Sequence, residues 1–190
     1  MNLNVPNLLT LLRMAVVPLF VIALLNGEVG KALVLFAVAG LTDALDGFVA
    51  RVFKQTSVLG AYLDPIADKL LITSAYIMLS LPNSNPDLVR IPLWVTVLVL
   101  ARDILILVIV LVLWMALDEP KFKPSTISKV NTVFQVTAVI LVMLSGLNGA
   151  MVMPATVSIY AVAVLTVLSG LNYFYLVNQM VASSDSNAQA

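Results

Sequence analysis

Six long apolar stretches, separated by short polar breaks, run along almost the whole chain. They cover residues 8–26, 31–51, 60–81, 91–117, 126–146 and 152–178. Each stretch is close to the roughly 20 apolar residues that an α-helix needs to cross the hydrocarbon core of a bilayer. The breaks contain helix-interrupting residues, among them Asn26-Gly27 and Leu81-Pro82. The pattern predicts an all-α integral membrane protein with six transmembrane helices.

The six stretches are connected by short loops, so we expect one six-helix transmembrane domain over residues 1–182. The remaining residues, 183–190, are small and polar and predict a disordered tail. Five aromatic residues near the ends of predicted helices are expected in the belts where aromatic rings meet the lipid headgroups: Trp94, Trp114, Tyr173, Phe174 and Tyr175.

The composition supports a membrane protein and narrows its chemistry. Hydrophobic residues make up 61% of the 190 residues and the mean hydropathy is +1.05, whereas soluble domains are about 45–50% apolar. Ten basic and ten acidic residues balance to zero net charge, so no nucleic-acid partner is expected. The chain has no Cys and no His. A thiolate metal site and a histidine base are therefore excluded, and proton transfer must use a carboxylate, a lysine or a tyrosine.

The distribution of Lys and Arg predicts the orientation in the membrane, because short cytoplasmic loops carry the excess of these residues. With the N-terminus inside, the inner side receives Arg51, Lys54, Lys121, Lys123 and Lys129, and the outer side receives Lys31 and Arg90. This orientation places the end of the second helix and the loop before the fifth on the cytoplasmic face.

Four aspartates lie near the end of the second predicted helix and the start of the third. Asp43 and Asp46 are three residues apart, and Asp64 and Asp68 are four apart. Each pair therefore shares one helix face. Four converging carboxylates would repel one another, and a hard divalent cation would remove this repulsion. An oxygen-only ligand set favours Mg²⁺ or Mn²⁺ over Zn²⁺.

The aspartates belong to a longer motif. Residues 43–68 follow the pattern DxxDGxxAR(x8)GxxxDxxxD, which resembles the signature of the CDP-alcohol phosphatidyltransferase family. The N-terminal segment VPNLLTLLR also resembles the opening of these enzymes. The resemblance implies a six-helix membrane homodimer, a metal-dependent transferase of phospholipid biosynthesis that displaces CMP from a CDP-linked lipid such as CDP-diacylglycerol.

The resemblance also implies roles for individual residues. Asp43, Asp46, Asp64 and Asp68 would bind two divalent ions, Mg²⁺ or Mn²⁺; Asp64 and Asp68 would be catalytic, with Asp68 also the general base. The expected contacts to the CDP-lipid are Asn7, Thr42, Gly47, Ala50, Arg51 and Gly60. Small side chains permit close approach of a nucleotide, and the arginine fork suits a phosphate. Helix packing, capping and membrane anchoring are the alternative roles.

Three segments resemble one branch of this family, the CMP-forming cardiolipin synthases: GLTDALDGFVAR, LDPIADKLLI and KPSTISKVNTVFQ. We therefore expect phosphatidylglycerol as the acceptor and cardiolipin as the product; phosphatidylglycerophosphate synthesis from glycerol 3-phosphate is the alternative. The expected acceptor-binding residues are Arg102, Lys123 and Lys129. Arg102 could instead pair with Asp103, and the lysines could anchor headgroups. The expected location is a prokaryotic inner membrane, with the active site on the cytoplasmic face.

Overall fold

The protein is built from α-helices. The computed structural model describes the backbone of residues 5–53, 58–82, 85, 87–116 and 126–188, and the side chains of residues 12–42, 69–82, 85, 87–109 and 127–174. In this part of the chain the helices are α1 (Val5–Leu25), α2 (Val29–Phe53), α3 (Val58–Ser80), α4 (Leu93–Ala116), α5 (Thr126–Ser145) and α6 (Val152–Ala188). A short 3₁₀ turn at Gly149–Met151 precedes α6. The all-α prediction is confirmed, and the helices match the six apolar stretches closely except at the end of α6.

Two helical segments of the described chain are long and apolar enough to cross a membrane: Ile127–Ser145 and Gly149–Phe174. The segments Leu12–Leu25, Val29–Thr42 and Lys69–Ser80 are apolar but shorter. Membrane crossing by all six helices therefore stays a prediction.

The turn between α1 and α2 shows why the first break lies where the sequence placed it. The N–H of Gly27 donates to Leu24 O at 3.0 Å and the N–H of Glu28 donates to Ala23 O at 2.9 Å. This pair of bonds is a Schellman motif, which needs a left-handed residue after the helix. Gly27 supplies it with φ of 73°. The motif provides hydrogen-bond donors for carbonyl groups in the last turn of α1, and α2 begins directly after it at Val29.

The chain divides into two compact units, each formed from two sequence segments. The first, unit 1, comprises residues 1–91 and 139–156. Within it α1 packs against both α2 and α3, and the rings of Phe20 and Phe36 lie 5.8 Å apart. The second segment of unit 1 is bonded to the loop after α3. Asn85 Nδ2 donates to Gly146 O at 3.2 Å, and the N–H of Val89 donates to Ser145 Oγ at 3.1 Å.

The second compact unit, unit 2, comprises residues 92–138 and 157–190. Its interior contains apolar residues such as Val95, Val99 and Val162, all at most 1% exposed. It also contains buried polar side chains on three helices: Thr96, Arg102, Asp103, Asn131, Gln135, Ser158, Thr166 and Ser169. Unit 2 therefore has a polar interior as well as an apolar one.

Helix α6 is much longer than a membrane span requires. Its 37 residues run to Ala188, which at 1.5 Å per residue is about 55 Å. The backbone thus stays helical past Ser183, where the sequence predicted the start of a disordered tail. No Gly or Pro follows Gly170 in the helix, so no strong helix breaker ends it earlier.

Candidate functional site

The two pairs of aspartates lie on helices, as their spacing predicted. Asp43 and Asp46 are in the second half of α2, and Asp64 and Asp68 are in the first half of α3. Their side chains lie outside the described residues. The convergence of the four carboxylates stays a prediction. The register of the two helices supports it.

On α2, the aspartates continue a regular series of buried positions. Val29, Ala32, Phe36 and Ala39 are at most 3% exposed and are spaced by three, four and three residues. This alternation marks one face of a helix. Continuing it by four and then three residues gives Asp43 and Asp46. Both aspartates therefore occupy register positions on the face that α2 buries.

On α3, the aspartates occupy equivalent positions. Leu71 and Ala75 are at most 5% exposed, and Asp64 and Asp68 precede them by seven residues each. Seven residues are close to two helical turns. Asp64 is therefore on the same side of the helix as Leu71, and Asp68 is on the same side as Ala75. Both acidic pairs thus extend the buried faces of helices that pack against α1 in unit 1.

The hydroxyl of Thr42, a predicted CDP-lipid contact, is directed into its own helix. It lies 2.6 Å from Val38 O and 2.9 Å from Ala39 O. Its proton is donated to the helix backbone, and its lone pairs could accept a hydrogen bond. A substrate role for Thr42 stays a prediction, in which it would act as an acceptor.

The remaining predicted CDP-lipid residues lie on helices, with side chains outside the described residues. They are Asn7 on α1, Gly47, Ala50 and Arg51 on α2, and Gly60 on α3. Lys123 lies wholly outside the described residues. Where side chains are described, no group of three or more acidic, His or Cys residues could hold a metal. Of the predicted ligands, none falls within that part of the chain.

Arg102 is the best-defined predicted site residue. It lies on α4 and is 7% exposed. Its Nη1 donates to Asp103 Oδ1 at 2.7 Å, and its Nη2 donates to Ser128 Oγ at 2.6 Å and also to Ser169 Oγ. Its Cζ lies 5.8 Å from the centre of the Tyr173 ring, within the range of a cation–π contact. The guanidinium thus joins α4, α5 and α6 inside unit 2.

These contacts limit what Arg102 could offer an acceptor. Both terminal nitrogens already donate to protein oxygens, and the buried Nε has no hydrogen-bond partner in the described chain. The pairing with Asp103 that the sequence left open is present at 2.7 Å. The acceptor role of Arg102 stays a prediction that would have to use Nε or rearrange these bonds.

Lys129, the other predicted acceptor residue with a described side chain, differs from Arg102. It follows Ser128 in the first turns of α5 and is exposed. The described contacts do not join it to Arg102. An exposed ammonium at a helix start remains free to meet a charged headgroup, so its acceptor role also stays a prediction.

Several buried polar residues were not singled out by the sequence. Arg13 is 1% exposed, and Asn131 Oδ1 accepts from Thr166 Oγ1 at 3.3 Å. Tyr173, expected in an aromatic belt, is 2% exposed and lies against Arg102, so that prediction is wrong. The spacing of Thr166, Ser169 and Tyr173 by three and four residues is a helix-face signal that could have found this buried polar stripe.

Comparisons with known proteins agree with the motif. Residues 3–175 match the model of the CDP-alcohol phosphatidyltransferase family. The chain is 38% identical over 152 residues to a protein of Rattus norvegicus named cardiolipin synthase (CMP-forming), covering 72% of this chain and 48% of that protein. The chain thus spans about half the length of that relative.

Bacterial relatives match over longer stretches. A probable phosphatidylglycerophosphate synthase of Mycobacterium tuberculosis is 38% identical over 176 residues, covering 90% of this chain and 79% of the relative. A Haemophilus influenzae protein named CDP-diacylglycerol–glycerol-3-phosphate 3-phosphatidyltransferase is 33% identical over 182 residues, covering 91% of this chain and 92% of the relative. The relatives' names thus describe two different reactions, one that makes cardiolipin and one that makes phosphatidylglycerophosphate.

Proposed function

The chain belongs to the CDP-alcohol phosphatidyltransferase family, and we propose that it transfers a phosphatidyl group from CDP-diacylglycerol to phosphatidylglycerol, giving cardiolipin and CMP. The observation that carries the proposal is the complete aspartate motif on α2 and α3, where both acidic pairs continue the buried faces of their helices. Carboxylates inside a bilayer are costly, so acidic residues at such positions in a membrane protein usually have a functional role.

Two observations support different acceptors. The segment from Lys123 to Gln135 and the 38% identity to the rat protein favour phosphatidylglycerol. The longer matches to the two bacterial relatives favour glycerol 3-phosphate, which would make the product phosphatidylglycerophosphate. Phosphatidylglycerophosphate synthesis is therefore the second candidate function.

The motif residues fit a divalent-metal site by the chemistry of their donors. Asp43, Asp46, Asp64 and Asp68 supply only carboxylate oxygens, the ligands that Mg²⁺ and Mn²⁺ prefer. We propose that they hold two such ions. When bound, the ions would neutralise the diphosphate and stabilise the charge that develops on the leaving group.

The chain's own residues would then organise one displacement at phosphorus. The acceptor hydroxyl oxygen forms a bond to the β-phosphorus of CDP-diacylglycerol, and the bond from that phosphorus to the bridging oxygen breaks. The bonding electron pair leaves with CMP, and the hydroxyl proton passes to the Asp68 carboxylate. Arg51 would donate to a phosphate oxygen, while Gly47, Ala50 and Gly60 would leave room for the nucleotide. Positioning and charge stabilisation account for most of the rate in such reactions.

The setting of the proposed reaction is a lipid bilayer. The apolar segments Ile127–Ser145 and Gly149–Phe174 support membrane insertion, and the bacterial relatives support a prokaryotic inner membrane. We further propose that the active site faces the cytoplasm and that the chain works as a homodimer.

The test is a product analysis with separate acceptors. Purified protein in detergent is incubated with CDP-diacylglycerol and Mg²⁺ or Mn²⁺, with phosphatidylglycerol in one tube and glycerol 3-phosphate in another. We expect cardiolipin and CMP in the first tube, identified by mass spectrometry. Phosphatidylglycerophosphate in the second tube alone would establish the second candidate. Unchanged product formation in excess EDTA would overturn the metal proposal, and no product with either acceptor would overturn both functions.

A further inference from the structure

Arg13 is a charged side chain that unit 1 buries. It lies in the middle of α1 in unit 1 and is 1% exposed. An arginine buried in a membrane protein is costly unless an opposite charge compensates it. The position of that compensating charge can be inferred from the acids of unit 1 and from the register of α1 against α2.

Few acids in unit 1 could compensate Arg13. The six are Glu28, Asp43, Asp46, Asp64, Asp68 and Asp87. Glu28 is exposed and pairs with Lys31 at 2.7 Å, in the turn at the far end of α1. Asp87 is exposed in the loop after α3. The four acids that remain are those of the aspartate motif.

The register of the α1–α2 hairpin selects one of the four. The two helices pack together and are joined by a tight turn, so they run antiparallel. Phe20 and Phe36 face each other with ring centres 5.8 Å apart. Arg13 precedes Phe20 by seven residues, and Asp43 follows Phe36 by seven. Because seven residues are nearly two turns on each helix, Arg13 and Asp43 come to the same level on the facing sides.

We propose that Arg13 is the counter-charge of the Asp43 carboxylate and acts as a positioning residue for the aspartate site. The pairing itself does not depend on the reaction catalysed, whereas its role toward a metal rests on the proposed function. Without metal, Arg13 would hold Asp43 charged and in place on the buried face of α2. With metal bound, the divalent ion would take over much of this compensation.

The pairing is testable by a double-mutant cycle on thermal stability in detergent with EDTA. Removing one member of a buried pair leaves the other charge unpaired, whereas removing both does not. We expect Arg13→Gln and Asp43→Asn each to lower Tm by about 10 °C. The double variant should lose less than either single variant. Arg13→Lys, which keeps the charge, should recover most of the loss.

Two matched controls make the cycle specific. Asp46 lies one turn further along the same face, so Arg13→Gln with Asp46→Asn should show effects closer to additive. Lys31→Gln removes an exposed cation from the same hairpin and should not couple to Asp43. Additive effects for Arg13 and Asp43, or stronger coupling of Arg13 to Asp46, would overturn the proposal.

A second measurement covers variants that fail to fold. The chain has no native cysteine, so a pair introduced by Arg13→Cys and Asp43→Cys would hold the only thiols, and it would remove both charges together. A disulfide needs Cα atoms within about 7 Å. We expect oxidation in membranes to join this pair faster than Arg13→Cys with Asp46→Cys, as seen in peptide mass spectra. Equal or reversed rates would contradict the register.

Metal addition separates this inference from the proposed function. If the site binds metal, saturating Mn²⁺ should narrow the Tm gap between the wild type and Arg13→Gln by more than half. The alternative result is a Tm difference that stays constant in Mn²⁺ while the double-mutant cycle in EDTA still shows coupling. That result would overturn the role of Arg13 toward a metal and keep the Arg13–Asp43 pair. Loss of coupling in a chain that still makes cardiolipin would overturn the pair and keep the function.

Discussion

The two compact units each bury an arginine, and they compensate it in different ways. In unit 2, Arg102 has its counter-charge on the next residue, Asp103, and its other donors reach Ser128 and Ser169. In unit 1, Arg13 is flanked in sequence by apolar residues, and the acids available to it are those of the motif. Arg102 thus has its counter-charge on the adjacent residue, whereas Arg13 depends on aspartates that we assign to catalysis.

This difference separates a structural role for the buried arginine of unit 2 from a role in the active site for the buried arginine of unit 1. A local arginine–aspartate pair with serine partners stabilises a three-helix arrangement whatever else the protein does. A cation that depends on the motif acids couples the packing of α1 and α2 to the state of the active site. Substitutions in unit 1 should therefore change activity and its metal response, whereas substitutions around Arg102 should change stability first.

The largest expected effect is on turnover in unit 1. Asp68→Asn removes the proposed base while preserving shape, and we expect the rate of CMP release to fall by roughly 10²–10⁴-fold. Binding of CDP-diacylglycerol, followed by calorimetry in detergent, should be nearly unchanged. Near wild-type turnover would mean that another group is the base. It would also weaken the proposal that unit 1 carries the catalytic role and unit 2 a structural one.

The next effect is on stability in unit 2. Arg102→Met leaves the Asp103 carboxylate buried without its 2.7 Å partner, which costs about 3–5 kcal/mol. Thermal unfolding in detergent should show a large drop in Tm. Arg102→Met with Asp103→Asn should be less destabilised than Arg102→Met alone. Should Arg102→Met instead keep its Tm and lose acceptor affinity, Arg102 would be a substrate ligand rather than part of the scaffold.

A smaller effect tests the exposed lysine of α5. Lys129→Ala should raise the KM for the acceptor about tenfold, equivalent to about 1.4 kcal/mol, because one charge contact to the headgroup is lost. The KM for CDP-diacylglycerol should stay within about twofold of the wild type. Lys31→Ala, which removes another exposed lysine, is the control and should change neither constant. A rise confined to the CDP-lipid constant would refute the acceptor role.

The smallest expected effect concerns one hydroxyl. Ser128→Ala removes one of the oxygens that Nη2 of Arg102 donates to, and Ser169 keeps that nitrogen partly satisfied. We expect a loss of about 1 kcal/mol, measured as a shift of a few degrees in Tm. Ser80→Ala is the matched control, because that hydroxyl donates only to Ile77 O of its own helix in the described contacts. Equal shifts in the two variants would mean that the Arg102 bond contributes nothing specific.

Local chemistry explains which parts of the fold could be predicted. The end of α1 was readable because Asn26-Gly27 marks a helix stop, and Gly27 adopts the left-handed conformation that the stop requires. The end of α6 was not readable, because the polar residues after Ser183 lower hydrophobicity without breaking a helix. Composition predicts where a helix leaves lipid better than where its backbone ends.

Contacts between distant elements explain what could not be predicted. Ser128 and Ser169 lie 26 and 67 residues from Arg102, and no periodicity within one helix pairs them. Tyr173 was misplaced because a ring with a polar tip suits both a membrane interface and a polar interior. The motif aspartates were predictable as helix neighbours, whereas their register with the buried residues of α2 and α3 depended on seeing which residues those helices bury.

The discontinuous make-up of unit 1 has a consequence for biosynthesis. The loop after α3 donates hydrogen bonds to Gly146 O and Ser145 Oγ, and the last residue of unit 1 is number 156 of 190. A nascent chain that has already released α1, α2 and α3 with the whole motif still lacks this segment. The helices that carry the aspartates must therefore remain incompletely packed until most of the polypeptide has left the ribosome.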